Sequence, residues 1–243
     1  MGNIGAFFDI DGTLFRNSLM IEHFKKMIKY EVMDPVIWYG NLKDSYSKWE
    51  NRYGDFEVYL EELADIYVKE LKGMNKDYIE FIASQVININ GDKVYKYTRS
   101  RVEWHKENGH KIFFISGAPD FLVEKMSLKY EATEYKATEY LVDGNNNFTG
   151  EIIKMWDSEN KQRVLNKLVN KFEVELESSF AYGDTTGDLS MFQMVGNPIA
   201  VNPNRNLLMS IKDDQKLRDK TRIIVERKDL IYELSPDIDI LTV

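Results

Sequence analysis

Asp9 and Asp11, two residues apart at the end of the apolar run Ile4–Phe8, are the first side chains in this chain equipped for chemistry. Positions i and i+2 of a strand leave the same face, so both carboxylates start on one side of the chain. Held there, they could collect a divalent cation, or divide the work of nucleophile and proton carrier. Alone, they read equally well as a solvated strand-to-turn junction, because Asp and Gly are ordinary turn residues. Three later clusters shift the balance: Ser116-Gly117, Lys161, and Gly183-Asp184 with Asp188 four residues beyond Asp184. Singly, Ser116 fits a turn, Lys161 a solvated helix residue, and Asp184 and Asp188 loop or capping groups. Jointly they are four carboxylates, a hydroxyl and an ammonium. An ammonium and a hydroxyl beside crowded carboxylates suit a phosphoryl group, whose charge must be held by donors while it moves.

The elements that must position these groups are visible as alternating patterns. Ile4–Phe8, Lys111–Ile115, Ser179–Tyr182 and Pro198–Val201 are short apolar runs of the kind buried in a parallel sheet. Between them, Tyr95–Asn108, Pro119–Tyr130 and Asn160–Lys171 read as helices. Asn108-Gly109 supplies a stop signal for the first, and Pro119 suits the first turn of the second. This alternation predicts an α/β fold with a doubly wound, Rossmann-like parallel sheet, whose strand carboxyl ends share one edge. Ser116, Asp184 and the Asp9–Asp11 pair all fall at such ends, and Lys161 opens a helix.

Residues 16–89 break the pattern. They lack a strand-like run before Val86–Ile89, and Phe56, Leu60, Leu63, Tyr67 and Leu71 make an apolar stripe at helical spacing. The expected organisation is a core of residues 1–15 and 90–243 with a small helical cap, 16–89, inserted above the sheet. A β-hairpin insertion at about 135–153 turns on Asp143-Gly144-Asn145-Asn146-Asn147.

Composition closes off other chemistries. With 243 residues, 43% hydrophobic and 13% aromatic, the chain can bury a sizeable core. A formal charge of −8 disfavours a general nucleic-acid partner. No cysteine is present, which removes thiolate catalysis and cysteine-based zinc sites. The three histidines, His23, His105 and His110, form no zinc-ligand motif and read as satisfied or surface residues. The basic stretch Lys216–Lys228, interrupted by acids, reads as a surface face. No leader pattern or membrane-length apolar stretch occurs, so the expected location is cytoplasmic, with no membrane partner.

Taken in order, Asp9-Ile10-Asp11-Gly12-Thr13, Ser116, Lys161 and Gly183-Asp184-x-x-x-Asp188 resemble the four motifs of the haloacid dehalogenase-like (HAD) hydrolases. The helical insertion, the hairpin and Gly196–Pro203 resemble the phosphoserine-phosphatase-like branch. The resemblance implies Asp9 as nucleophile, forming an aspartyl-phosphate, and Asp11 as the acid and then the base. It implies Mg²⁺ held by Asp9, the backbone carbonyl of Asp11 and Asp184, with Asp188 behind them. Ser116, Gly117, Thr13 and Lys161 would grip the phosphoryl oxygens. The expected activity is Mg²⁺-dependent hydrolysis of a small-molecule phosphomonoester. Transfer to an alcohol acceptor uses the same residues, and a non-catalytic phosphate-binding module ranks below both because Asp11 and Lys161 are present. True phosphoserine phosphatases carry a Glu where Ser18 stands and a cap Arg near Glu61. Phosphoserine is therefore disfavoured as the substrate.

Overall fold

A computed structural model describes residues 2–241; Met1, Thr242 and Val243, at the ends of the expected core, lie outside it. Strand β1 (Asn3–Phe8) leads into helices α1 (Leu19–Lys29), α2 (Pro35–Ile37), α3 (Lys43–Glu50), α4 (Phe56–Leu71), α5 (Lys76–Asn90) and α6 (Lys96–Glu107), with a wide turn at Trp38–Leu42. The chain continues through β2 (Lys111–Pro119), α7 (Asp120–Tyr130), β3 (Glu134–Val142), β4 (Phe148–Ile153), α8 (Ser158–Phe172) and β5 (Val174–Gly183). It ends with α9 (Leu189–Met194), β6 (Asn197–Val201), α10 (Arg205–Asp213), α11 (Gln215–Lys220), β7 (Arg222–Arg227) and β8 (Leu230–Leu234).

The eight strands form one sheet in the order β4-β3-β2-β1-β5-β6-β7-β8. From β3 to β7 all neighbours are parallel, and an antiparallel strand closes each edge. The chain builds outward from β1 through β2 and β3, then restarts on the other side at β5. The reversal falls between β1 and β5, which is where α/β sheets open a crevice for ligands. The doubly wound α/β fold is therefore observed.

Side-chain alternation along β1 divides the interior. Ala6 and Phe8 enter a core shared with α1, α4, α5, α6 and α7, while Phe7 enters a second core with α8, α9, α10 and α11. The helices of residues 19–90 thus cover one face of the sheet. Their ends are set locally: Ser18, Asp55 and Asn75 accept backbone N–H groups at the starts of α1, α4 and α5. On α4 the buried positions are Tyr59, Leu63, Ala64, Tyr67 and Leu71, with Phe56 and Leu60 partly covered. Among the described residues no helix is long and apolar enough to cross a membrane.

Several details differ from expectation. Val86–Ile89 is helical, the last turns of α5, because Val86 and Ile87 continue the buried face of Ile79, Ile82 and Ala83. Pro119 ends β2 and caps α7 from outside, leaving the first turn to Asp120. The hairpin expected at about 135–153 is formed by β3 and β4, and because β3 pairs with β2 it extends the main sheet. The Lys216–Lys228 stretch is not a surface face throughout. It contains α11 and β7, and Ile223 and Ile224 are each 1% exposed.

Phe8 ends β1 immediately before Asp9 and stacks on Tyr182 of β5, with centroids 4.1 Å apart and planes 2° apart. It is wholly buried. Phe8→Ala should cost about 3–5 kcal/mol, seen as a lower urea midpoint at unchanged slope. A loss below ~1 kcal/mol would show that the stack does not carry β1.

Candidate active site

Asp9 follows β1, and its N–H donates to the carbonyl of Tyr182 on β5 at 3.0 Å, so the central strand pair aims it at the sheet edge. Lys161 sits in the first turn of α8, whose start is capped by Asp157 accepting from Asn160 N–H at 2.8 Å. Its Nζ donates to Asp9 Oδ1 at 2.7 Å and to Asp188 Oδ1 at 2.6 Å. All three residues are buried, at 6%, 3% and 0% exposure for Asp9, Lys161 and Asp188. Asp188 uses its other oxygen, Oδ2, to accept from the backbone N–H groups of Asp184 and Thr185 at 3.0 and 3.2 Å. That carboxylate folds the loop after β5 back on itself.

Asp184 completes the cluster. One oxygen from each of Asp9, Asp184 and Asp188 lies within 4.8 Å of the other two. Thr13 Oγ1 donates to Asp184 Oδ1 at 3.0 Å, tying the loop after β1 to the loop after β5. The loops approach so closely that a Cβ on Gly12 would stand 2.1 Å from Asp184 Oδ2, and Gly12 has a φ of +82°. Glycine is the residue that meets both demands.

Asp11 stands apart from this carboxylate cluster. Its Oδ1 accepts from Leu19 N–H, the start of α1, at 3.0 Å. Its carboxylate is not among those that converge within 4.8 Å. Ser116 is fully buried in the second half of β2, and its Oγ accepts from Ala118 N–H at 3.2 Å. Gly117 is packed against Trp156, whose Cβ would lie 2.7 Å from a Cβ added there.

Two residues at the site escaped the reading of the sequence. Trp156 walls the Ser116-Gly117 loop, and nothing in its local sequence signals that. Asn204 donates its backbone N–H to the Asp184 carbonyl at 2.8 Å. It follows directly on the Gly196–Pro203 stretch, so one more residue of that stretch would have included it. Ser18 is accounted for by capping α1, with Oγ 3.4 Å from Ile21 N. Glu61 is exposed on α4.

The electrostatics follow from crowding. Burial drives the Asp9 carboxyl up to about 7, with Asp188 and Asp11 adding repulsion and Lys161 opposing. Burial, then Asp9 and Asp188, push Asp184 well above the ordinary aspartate value. Burial works against the Lys161 ammonium, yet Asp188 and Asp9 outweigh it and hold the lysine protonated. Asp11 is raised to about 6 by burial, moderated by the Leu19 N–H. Three carboxylates around one ammonium leave a surplus of two negative charges in a water-poor site. Protons or a divalent cation must offset it, and an all-oxygen donor set suits a hard cation such as Mg²⁺.

A family model described as haloacid dehalogenase-like hydrolase matches residues 6–193. An inhibition of morphological differentiation protein from Streptomyces azureus is 25% identical over 204 residues, covering 83% of this chain and 73% of its own length. A histidinol-phosphatase from Neisseria meningitidis serogroup C is 23% identical over 213 residues, covering 86% of this chain and 94% of its own. Among solved structures, a phospho-aspartyl intermediate analogue of phosphoserine phosphatase superposes with a TM-score of 0.60 at 21% identity, covering 94% of this chain and 96% of that one.

Crowding has a measurable consequence. Asp184→Asn removes one surplus charge while an amide oxygen still accepts from Thr13. A carboxyl raised in the folded state costs stability above its unfolded value, and the cost vanishes as pH falls toward that value. In metal-free buffer at pH 7.5 the variant should therefore melt higher, by ~2–4 °C per kcal/mol of repulsion relieved. The gap should narrow toward pH 4. Calorimetry finding the variant less stable at pH 7.5 would refute the crowding.

Proposed function

Because this chain belongs to the haloacid dehalogenase-like hydrolases, we propose that it hydrolyses phosphomonoesters of small metabolites through an aspartyl-phosphate on Asp9. The reading rests above all on the unequal settings of two neighbouring carboxylates. Both carboxyls are raised by burial, Asp9 to about 7 and Asp11 to about 6. Asp9, however, is gripped by an ammonium at 2.7 Å that favours its ionised form, while Asp11, with no ammonium in contact among the described residues, accepts a backbone N–H. Such a split suits one group to attack and the other to carry protons near neutrality.

Lys161 holds Asp9 Oδ1, leaving Oδ2 to form the bond to phosphorus as the bond to the ester oxygen breaks. Protonated Asp11 donates to the departing alkoxide. The resulting Asp11 carboxylate then takes a proton from water, whose oxygen attacks the phosphoryl group and releases Asp9. Lys161 and Ser116 would steady the phosphoryl oxygens, with the backbone N–H groups of the first loop and of Gly117 assisting. Thr13 acts one step back, since its hydroxyl is directed to Asp184. Asp9, Asp184 and the carbonyl of Asp11 would hold Mg²⁺, which when bound neutralises charge on the phosphoryl group and the carboxylates. Asp188 serves by fixing Lys161 and the Asp184 backbone. The relatives' names attach to two different esters, and Ser18 and Glu61 give no special place to phosphoserine, so the substrate class is a small phosphomonoester.

Asp9→Asn should lower kcat by a factor on the order of 10⁴; near-wild-type turnover would remove Asp9 from the attacking role. Asp11→Asn should slow alkyl phosphates by about 10²–10⁴-fold. With nitrophenyl phosphate, whose leaving group needs no proton, it should release one equivalent of nitrophenol and stall. For alkyl esters the protonated form of Asp11 is the active one, so kcat/KM should fall as pH rises through about 6. That limb should be absent with nitrophenyl phosphate; identical profiles for both esters would exclude the assignment.

Mg²⁺ should compete with the protons that crowding places on Asp9 and Asp184. Its affinity should weaken as pH falls through about 7, and binding should release protons. Titration calorimetry in buffers of differing ionisation enthalpy measures this directly. Activity indifferent to EDTA and to added Mg²⁺ would take the cation out of the reaction.

A further inference from the structure

Besides accepting from Leu208 N–H at its carbonyl, Asn204 makes three bonds at once. Its Oδ1 accepts from Leu207 N–H at 2.8 Å, capping α10, and its backbone N–H holds the Asp184 carbonyl. Its Nδ2 reaches out of the sheet layer to Glu57 Oε1 at 2.8 Å. Glu57 lies in the first turn of α4, half-buried, on the helical segment that covers the other face of the site.

The way that segment is fastened makes this bond unusual. At the C-terminal end of α4 the attachment is dense. Gly73 N–H donates to the Phe148 carbonyl, Phe148 N–H to Met74, and Lys76 N–H to Asn146, all at 2.8–2.9 Å. Asn146 Nδ2 adds a bond to Asp77 Oδ1 at 2.9 Å. Among the described side chains, Glu57–Asn204 is the one hydrogen bond or ion pair joining residues 30–70 to anything outside residues 16–90. With 16 residues, α4 spans about 24 Å. Its C-terminal end is tied by several hydrogen bonds, while beyond the apolar packing of Phe56 and Tyr59 its N-terminal end has this one side-chain hydrogen bond to the core.

We propose that the Glu57–Asn204 hydrogen bond is a latch that holds the N-terminal end of α4 down against the loop carrying Asp184. Resting on the phosphomonoesterase reading above, this makes Glu57 a positioning residue for turnover: the latch keeps the cover closed on the bound ester. The donor is a neutral amide, and Asp55 and Glu61 crowd Glu57 from its own helix. The latch therefore needs an acceptor oxygen at residue 57, not a charge. Breaking it leaves every group around Asp9 in place and shifts only the balance between open and closed cover.

Hydrogen exchange on the full chain, followed in peptides covering residues 56–64, reads that balance without requiring activity. Glu57→Ala should raise exchange there by about three- to tenfold, the worth of one hydrogen bond. Glu57→Gln, which keeps the acceptor, should stay within about twofold of the wild type. Asn204→Ser retains a hydroxyl to cap α10 but loses the donor, so it should match Glu57→Ala, and the double variant should exchange no faster than either. With an ester the wild type accepts, Glu57→Ala should raise KM while kcat stays within about twofold. Unchanged exchange in Glu57→Ala and Asn204→Ser, additive effects in the double variant, or Glu57→Gln behaving like Glu57→Ala would each overturn the latch. A wild-type chain inert toward every phosphomonoester would overturn the proposed function, and the exchange data would still decide the latch.

Discussion

The rest of the molecule is arranged around one buried ammonium. Lys161 bridges Asp9 and Asp188 at 2.7 and 2.6 Å with almost no exposure to water. Taking such charges out of solvent is costly, and the attraction between them repays it only when geometry is tight and the remaining lone pairs are satisfied. Each partner accordingly has a rigid mount. Asp9 hangs from the β1–β5 ladder, Lys161 from the capped first turn of α8, and Asp188 from the two N–H groups its own loop turns toward it. The doubly wound topology makes these mounts meet, because β1 and β5 are adjacent in the sheet although their ends lie some 170 residues apart in the chain.

The ammonium satisfies one of the negative charges and leaves two. A fold selected for stability alone would replace at least one of Asp9, Asp184 and Asp188 with a neutral residue. Retaining all three stores repulsion where a cation or a charged substrate can relieve it, the usual trade of active sites. The same logic explains the close approach of Gly12 to Asp184, where a side chain would fill the space the carboxylate needs.

The strands bearing the site were legible because each is a short apolar run with a polar residue of defined chemistry at its end. Ile4–Phe8, Lys111–Ile115, Ser179–Tyr182 and Pro198–Val201 all lie within observed strands. What escaped notice lacks that signature. β7 has just two fully buried residues, Ile223 and Ile224, amid charges, and β8 is an edge strand exposed along most of its length. Val86–Ile89 carried β-branched residues that suit a strand, and burial against the face of α5 overrode that local preference. Trp156 and Asn204 act through packing and backbone contacts between segments distant in sequence, which no local pattern encodes.

The two aspartates that open the chain differ finally in what they are attached to. Asp9 is bound to the sheet and α8, all on the core side, and its position is over-determined by the Tyr182 carbonyl and Lys161. Asp11, two residues on, is held by the N-terminal N–H of α1, the first helix of the layer on one face of the sheet. On the proposed roles, the attacking group belongs to the sheet, while the proton carrier is hung on the helical layer. A leaving alcohol lies on the side of phosphorus opposite the attacker in an in-line displacement, and that is the side a cover occupies. The proposed separation of roles between Asp9 and Asp11 thus corresponds to a separation of mounts. It requires only that the chain turn at Ile10, whose carbonyl accepts from Thr13, Leu14 and Phe15 and whose side chain is fully buried.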